Sequence, residues 1–575
     1  MDYSPQTAIA MTLRQWKPGL IAAAILAVIS SLPQIYLCYE RGAEWNGSYA
    51  FSDADEFAYS AYVNALIHGR PRRNDPYSGQ DGGPFETLFS IQFVPPYSIA
   101  IPARIFGVSA ATAFMILVPL IAIASTLTLF LFLFELTQNS IVSAIGALGV
   151  LCFGIFATQA PWRFWAVPIA FPFLRRYMPA LPFPFFFVMV LFVWRALTRR
   201  AITWSVSAGM VLVVLMYSYF FLWTAAVAWL ATLMVLWLLA RPGEFRIVFR
   251  VFGVIGIIGA IALVPYMWLL AHRATVIDQA QLLEFTHRPD LFRGPEFIAI
   301  PVLAVTFTCL RRGTKWRDAR ILLILSFTLA PFLVFNQQLL TGRSLQPFHY
   351  EQFIANYWIL TALFLALALA TPNLPRRIFL YLGVGSIAVG LILSVVEAAD
   401  GLDTEIEVDK GREVALKLKG HDGLAFVSGP LTDTLATTTS NPVLWAQYLY
   451  TFSPENLTER KLRFHKYLYY LGVNKAGLRA SLEHEGYSAR SELFGLERVN
   501  RVIAERPRIS SREIEEATNE YERFTLTFSR ADAANPVLSY AIVSPTSNLS
   551  NLDKWYEREP GEKIGDFVIY RLKLK

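Results

Sequence analysis

Cysteine and charge are what this chain has least of. Its 575 residues include three cysteines, Cys38, Cys152 and Cys309. All lie in or beside apolar runs and none in the polar C-terminal third, so no disulfide framework is available and redox chemistry is disfavoured. Charged residues make up 17% against 54% hydrophobic, with a mean hydropathy of +0.41. That balance excludes an ordinary soluble globular protein. Internal repeats and low-complexity tracts are also missing. The first apolar run, 18–39, has no small-residue cleavage pattern and is of span length, so it reads as a retained first helix.

What is present is a series of apolar runs near 18–39, 109–134, 141–160, 181–197, 203–220, 222–240, 248–270, 296–310, 321–336, 354–371 and 377–396. They correspond to about eleven spans. The run 88–106, carrying Pro95, Pro96, Pro102 and Arg104, reads instead as an amphipathic segment on the membrane surface. The formal net charge is only +7, and its placement says more than its sum. Arg14 and Lys17 precede the first span. Alternate short loops carry Arg195, Arg199 and Arg200; Arg241 and Arg246; Arg311, Arg312, Lys315, Arg317 and Arg320; Arg376 and Arg377. The positive-inside rule makes this side cytoplasmic. The opposite loops, and the region from about Glu397 to Lys575, then face outward.

The C-terminal region is compositionally distinct. Candidate strands at Leu424–Ser428, Phe524–Phe528, Tyr540–Ser544 and Phe567–Arg571 alternate with helical stretches such as Leu462–Leu471, which predicts a small α/β domain. It contains no glycine-rich phosphate loop, metal-spaced Cys/His set or nucleophile elbow, so a structural or acceptor-positioning role is expected. The expected domains are residues 1–396, including a first outer loop at 40–108, and residues 397–575.

The chemistry gathers in the outer loops. Asp53-Ala54-Asp55-Glu56 lies just past the first span and opens a helix expected to run to His68, with Tyr59 and Tyr62 on it. Part of this is explained structurally: Ser52 as N-cap, Asp55 three residues on as in a capping box, and acids favoured at a helix N-terminus. Three acids in four residues invite a second reading, a general base for an acceptor hydroxyl. The outer loops also hold cations: Arg70, Arg72 and Arg73 in the long first loop; Arg163, Arg175 and Arg176; His272, Arg273, His287, Arg288 and Arg293; and Arg343 and His349 in the segment Thr341–Glu351. A guanidinium fork suits phosphate, although snorkelling to lipid phosphate or simple loop solvation explains some of them. Arg343 and His349 are the leading candidates for a phosphate, with Arg175, Arg176 and Arg288 behind them. Asp53 and Asp55 are the candidate ligands should a divalent metal (Mg or Mn) be used, with no His/acid spacing to strengthen them. The aromatic runs Phe183–Phe187 and Tyr217–Trp223 read as an interfacial belt or, alternatively, the lining of a groove.

The acidic motif after the first span, the Gly69-Arg70 and Asn74-Asp75-Pro76-Tyr77 segments that follow, the proline-rich amphipathic stretch, the further spans and the outer C-terminal domain together resemble the GT-C superfamily of membrane glycosyltransferases. That superfamily includes oligosaccharyltransferases, protein O-mannosyltransferases and aminoarabinose transferases. The resemblance implies a polytopic α-helical GT-C-like fold and transfer of a sugar from a polyprenyl-phosphate or polyprenyl-diphosphate donor to an extracytoplasmic lipid, glycan or protein acceptor, with inversion. It places the first-loop acid at Asp55, assisted by Glu56 or Asp53, in a bacterial inner membrane and cell-envelope setting, with membrane lipid and no nucleic acid as partner. The C-terminal region lacks a Trp-Trp-Asp signature, which argues against an asparagine acceptor. Two other classes compete: a transporter or flippase of lipid-linked saccharides, which would place ionisable residues along its spans, and a noncatalytic envelope-assembly scaffold.

Overall fold

A computed structural model describes residues 11–154, 171–274, 284–285, 289–344, 346–372, 375–452, 456–484, 486–499 and 507–575, with backbone alone at 284, 285, 343, 344, 376 and 497. The chain is mostly helical. Helix α1 (Leu13–Arg41) leads into the first loop, which carries α2 (Asp55–Ile67) and α3 (Val94–Phe106). Then follow α4 (Ala110–Thr137), α5 (Ser140–Phe153), α6 (Phe183–Arg199), α7 (Ile202–Met216), α8 (Phe220–Ala240), α9 (Phe245–Ala271), α10 (Gly294–Arg311), α11 (Ala319–Phe335), α12 (Asn356–Ala370) and α13 (Arg376–Leu418).

Within the described residues, each apolar run falls mainly on one of these helices. Among the described residues, seven helical stretches are long and apolar enough to cross a membrane, beginning at Leu13, Ala110, Phe220, Pro242, Gly294, Pro347 and Arg377. Helices α5, α6, α7 and α11 have 14, 17, 15 and 17 residues, short of the roughly 20 that a ~30 Å hydrocarbon layer asks for. At 13 residues α3 is shorter still. It buries Ile99, Ala100 and Ala103 while exposing Ile101, Ile105 and Phe106, the one-sided pattern of a surface-lying segment. Phe183, Phe186 and Phe187 correct the belt reading. They are fully buried and pack on Tyr357, Trp229 and Trp358, because α6 is enclosed by its neighbours.

Helix α13 is 43 residues long and crosses the compositional boundary at 396/397 without a break. Its far half turns a polar face, Glu405 and Asp409, toward the first loop. Asp409 is fully buried. Its carboxylate accepts from Arg41 Nε at 2.9 Å, Asn46 N at 3.0 Å and Ser48 Oγ at 2.7 Å, and Arg412 Nε donates to the Asn46 carbonyl at 3.1 Å. The exit of α1 is thereby tied to α13 before the chain reaches α2.

Beyond α13, strands β1 (Ala425–Val427), β2 (Tyr540–Val543), β3 (Tyr556–Arg558), β4 (Glu562–Ile564) and β5 (Phe567–Leu574) form a sheet in the order β1-β2-β5-β3, with β4 also on β5. The β1–β2 pair is parallel and the others antiparallel. Helix α14 (Leu457–Tyr470) packs on it through Tyr467 and Tyr470 against Phe426, and α15 (Ser511–Thr527) packs on α14 through Tyr521 against His465. The expected strand at Phe524–Phe528 is instead the last turn of α15. Ser510 and Glu513 form a capping box, and Ile514, Ala517, Thr518 and Tyr521 are buried at helical spacing, a period of 3.6 that outweighs the local Phe-Thr-Leu-Thr-Phe alternation. One face of the sheet joins the helical core, with Ala425, Val427, Ile542 and Ile569 in the same buried cluster as the helices, and Phe452 stacks on Phe89 of the first loop with ring centroids 4.6 Å apart.

Replacing Asp409 by Ala leaves the buried Arg41 guanidinium only its exposed neighbour Glu44 and strands the Asn46 N–H, the Ser48 N–H and the Ser48 hydroxyl. We expect a loss of about 3–5 kcal/mol, read as a lower unfolding midpoint of the purified protein in detergent. An unchanged midpoint would show that α13 does not anchor the first loop.

Candidate functional site

Two pairs of consecutive residues build the site. Helix α2 starts at Asp55 with Ala54 at its N-cap and no side-chain cap. The Ser52 capping box is therefore not formed. Instead the Asp53 Oδ1 accepts from the Asp55 N–H at 2.8 Å, and Ser52 N donates to Glu56 Oε1 at 3.3 Å. Neighbouring helical side chains diverge by about 100°, so Asp55 and Glu56 point to different places.

Arg175 and Arg176, after the short turn Pro172–Leu174, diverge to match. Arg175 pairs with Asp55 through Nη2 and lies 3.3 Å from Asp53 through Nε. Arg176 pairs with Glu56 at 2.8 Å and donates from Nε to the Phe114 carbonyl at 3.0 Å. Both guanidiniums lie over aromatic rings, Arg175 on Tyr59 and Arg176 on Tyr49, each 5.2 Å from the centroid, a contact that favours a partly desolvated cation.

The two pairs differ in access. The Glu56 and Arg176 side chains are 0% and 5% exposed, whereas Asp53 and Asp55 are 45% and 48% exposed beside an Arg175 that is 7% exposed. Asp53, Asp55 and Arg175 line a cavity of about 240 Å³. Burial pushes the Asp55 carboxyl above its ordinary pKa; Arg175 opposes this, Asp53 adds to it, and a hydrogen bond from Tyr448 opposes it. Asp55 thus lines the cavity with a side chain that is half exposed.

His349 joins these residues on the cavity wall. Its Nδ1 is 3.5 Å from the Tyr219 hydroxyl, and its ring sits against Phe221, Phe348 and Phe353. Glu56, expected to assist Asp55, and Arg176, expected among the phosphate ligands, are not on this cavity's wall and are bound to each other. They face the interior beside Glu397, which lines a small cavity with Arg176, and near the buried Glu405. Both of these acids belong to α13, where the split at 396/397 hid them. Arg343 contributes only its backbone, paired with Phe285; its side chain lies outside the described residues, as do Arg163, His287 and Arg288. Other outer cations are held by acids: Arg72 by Glu86, Arg70 by Asp81, and Arg293 by Asp290 and Glu351.

Tyr219, from the run Tyr217–Trp223 with its alternative reading as a groove lining, is on the wall, and Tyr448, Tyr450 and Tyr487, with Gln92, Gln346 and Gln352, join it without having been singled out from the sequence. The tyrosine alternation in Tyr448-Leu449-Tyr450 was the one visible hint, and only the fold brings it to the first loop. For a divalent metal the residues do not fit as placed. The Arg175 guanidinium stands between the two carboxylates, where a cation would sit. Among the described residues no group of three or more His, Cys, Asp or Glu could hold one.

No family model matches the chain, and no curated protein matches it. Among solved structures, the crystal structure of the Archaeoglobus fulgidus oligosaccharyltransferase tethered with an acceptor peptide containing the NVT sequon aligns over 96% of this chain and 74% of that one. The identity is 12% and the TM-score 0.35, a likeness too low to bear on the site or its chemistry.

The Glu56–Arg176 pair is predicted to be structural. Glu56→Gln or Arg176→Met alone is expected to cost about 3–5 kcal/mol, and the double variant less than either single change. Unfolding midpoints of the four proteins check this.

Proposed function

We propose that the chain is a membrane glycosyltransferase that moves a sugar from a polyprenyl-phosphate or polyprenyl-diphosphate donor onto a hydroxyl-bearing acceptor. The observation that carries this reading is Asp55: a carboxylate raised in pKa by burial, half open to a cavity and paired with a buried guanidinium. The resemblance of the first-loop motif to GT-C enzymes supports the same reading. The charge pattern of the loops supports an extracytoplasmic cavity and an eleven-span topology.

In the proposed reaction the acceptor O–H gives its proton to Asp55 as the acceptor oxygen bonds to the anomeric carbon. The bond from that carbon to the donor phosphate oxygen breaks on the opposite face, inverting the centre, and the phosphate leaves with the electron pair. Protonation of Asp55 removes the negative charge that held Arg175. The guanidinium, still held by Asp53, then turns its freed Nη2 donor to the developing phosphate charge. His349, on the same wall, is the second candidate contact for the phosphate, and Asp53 keeps Arg175 in place. Tyrosine and glutamine side chains along the wall offer flat apolar faces and neutral hydrogen-bonding groups, a lining suited to a sugar. The gathering of accessible charge at one cavity, instead of along a transbilayer path, supports an enzyme over a flippase.

Two measurements test this on purified protein with labelled polyprenyl-phosphate and polyprenyl-diphosphate sugars. Asp55→Asn is expected to lower turnover by ~10²–10⁴ with the fold intact. In the wild type, the rate should rise with pH through the Asp55 pKa, so the acidic limb lies above the ordinary carboxylate range, because the base works only when ionised. Wild-type turnover by Asp55→Asn, or no turnover with any donor, would overturn the reading.

A further inference from the structure

A second cavity lies at the far end of the helix bundle from Asp55. Helix α4 begins beside the catalytic cavity, where its Phe114 carbonyl accepts from Arg176, and runs for 28 residues, about 40 Å. Its last residues, Leu136 and Thr137, line a cavity of about 460 Å³. That volume exceeds the 240 Å³ at Asp55 and falls within the roughly 300–1,000 Å³ usual for ligand sites.

The wall is divided by chemistry. Val142 of α5, Leu365 and Leu369 of α12 and Phe379 of α13 are apolar and come from within helices. The polar members Asn139, Thr314, Arg320 and Thr371 come from helix ends and the turns between them. A lipid has the same division, its chain fitting among helices and its head at their ends. The charge at the polar side is of one sign. Residues 311–320 carry Arg311, Arg312, Lys315, Arg317 and Arg320 against the single acid Asp318. Arg312 Nη1 donates to the Ala370 carbonyl at 2.7 Å, which pins this loop to the end of α12. The Asp318 carboxylate accepts from Arg320 Nε at 3.1 Å and Nη2 at 2.7 Å, so it offsets one cation and leaves the excess of the others. Trp316 is 50% exposed, with Arg317 5.4 Å from its ring centroid, as suits a loop at a membrane–water interface.

We propose that this cavity binds one anionic glycerophospholipid, such as phosphatidylglycerol, from the leaflet opposite the catalytic cavity. An acyl chain lies between α4, α5, α12 and α13, and the phosphodiester sits beside Arg320 in the field of the 311–320 cations. A zwitterionic head would bring its ammonium against those same cations, which disfavours phosphatidylcholine.

Competition followed by native mass spectrometry tests this on the purified full-length protein. Offered equimolar phosphatidylglycerol and phosphatidylcholine with identical chains, the wild type should retain one phosphatidylglycerol with a preference of roughly tenfold or more, and phosphatidylglycerol should raise its unfolding midpoint more than phosphatidylcholine does. Val142→Trp, which fills the apolar side, should abolish retention, and Arg320→Gln should lower the preference. A wild type that holds both lipids alike, or neither, overturns the proposal, and this comparison stands even where a substitution impairs folding. Phosphatidylglycerol held by Val142→Trp as by the wild type overturns it too. An unchanged preference in Arg320→Gln overturns the placement of the phosphate, and displacement of the bound phosphatidylglycerol by equimolar polyprenyl phosphate overturns the choice of occupant.

Discussion

The structure depends on two ion pairs that could not exist one at a time. Asp55 and Glu56 are adjacent, as are Arg175 and Arg176, and each adjacent pair is split between a solvated cavity and the protein interior. An isolated charge at the Glu56 position would be untenable, since removing a carboxylate from water costs several kcal/mol unless a cation meets it. Once Arg176 is placed there, Arg175 has little freedom: one residue earlier, it must emerge on the other side, against Asp53 and Asp55. The buried pair thereby sets the register of the exposed one.

That arrangement needs a rigid surround, which comes from parts of the chain far apart in sequence. Asp409 of α13 collects the donors at the end of α1. Arg72 and Glu86, with Ser90 on the same carboxylate, close the rest of the first loop. The aromatic stack of Tyr77, Phe89 and Phe452 joins that loop to the C-terminal region. Few of these contacts are apolar-to-apolar alone. Most are charged or hydrogen-bonded groups that a low-dielectric setting makes costly to misplace, so they favour one geometry strongly over near alternatives.

How far this could be read beforehand varies residue by residue. Periodicity and hydropathy are local properties, so the helices at the apolar runs, the strands at Ala425–Val427 and Tyr540–Val543, and the acidic start of α2 were all legible. Pairing is not local. Nothing in Arg175-Arg176 says that the first arginine faces a cavity and the second the interior, because that depends on where α2 lies. The same holds for Tyr448, which shares the cavity wall with Asp55 although 393 positions separate them. Phe524–Phe528 shows the opposite failure: a local alternation was present, but the capping box and buried stripe upstream had already committed those residues to a helix. Composition misled once as well. The change at 396/397 is real as a change in residue content, yet α13 carries straight through it, since a helix needs only one face suited to each surrounding and can pass from lipid to protein without ending.

The unequal exposure of Asp55 and Arg175 has a chemical logic. A base must exchange its proton with an acceptor that arrives and departs, so it must be reachable; a cation meant for a phosphate gains most when water is kept from it. Burying Arg175 without a counter-ion would be costly, and the carboxylates supply one for the resting state. In the proposed transfer, when Asp55 takes a proton, that counter-charge falls by one unit at the same moment that the leaving group gains negative charge. The guanidinium need move only slightly to exchange one anion for the other. A site of this kind keeps its total charge nearly constant through the reaction, which suits a cavity lined by buried tyrosines that cannot reorganise as bulk water does.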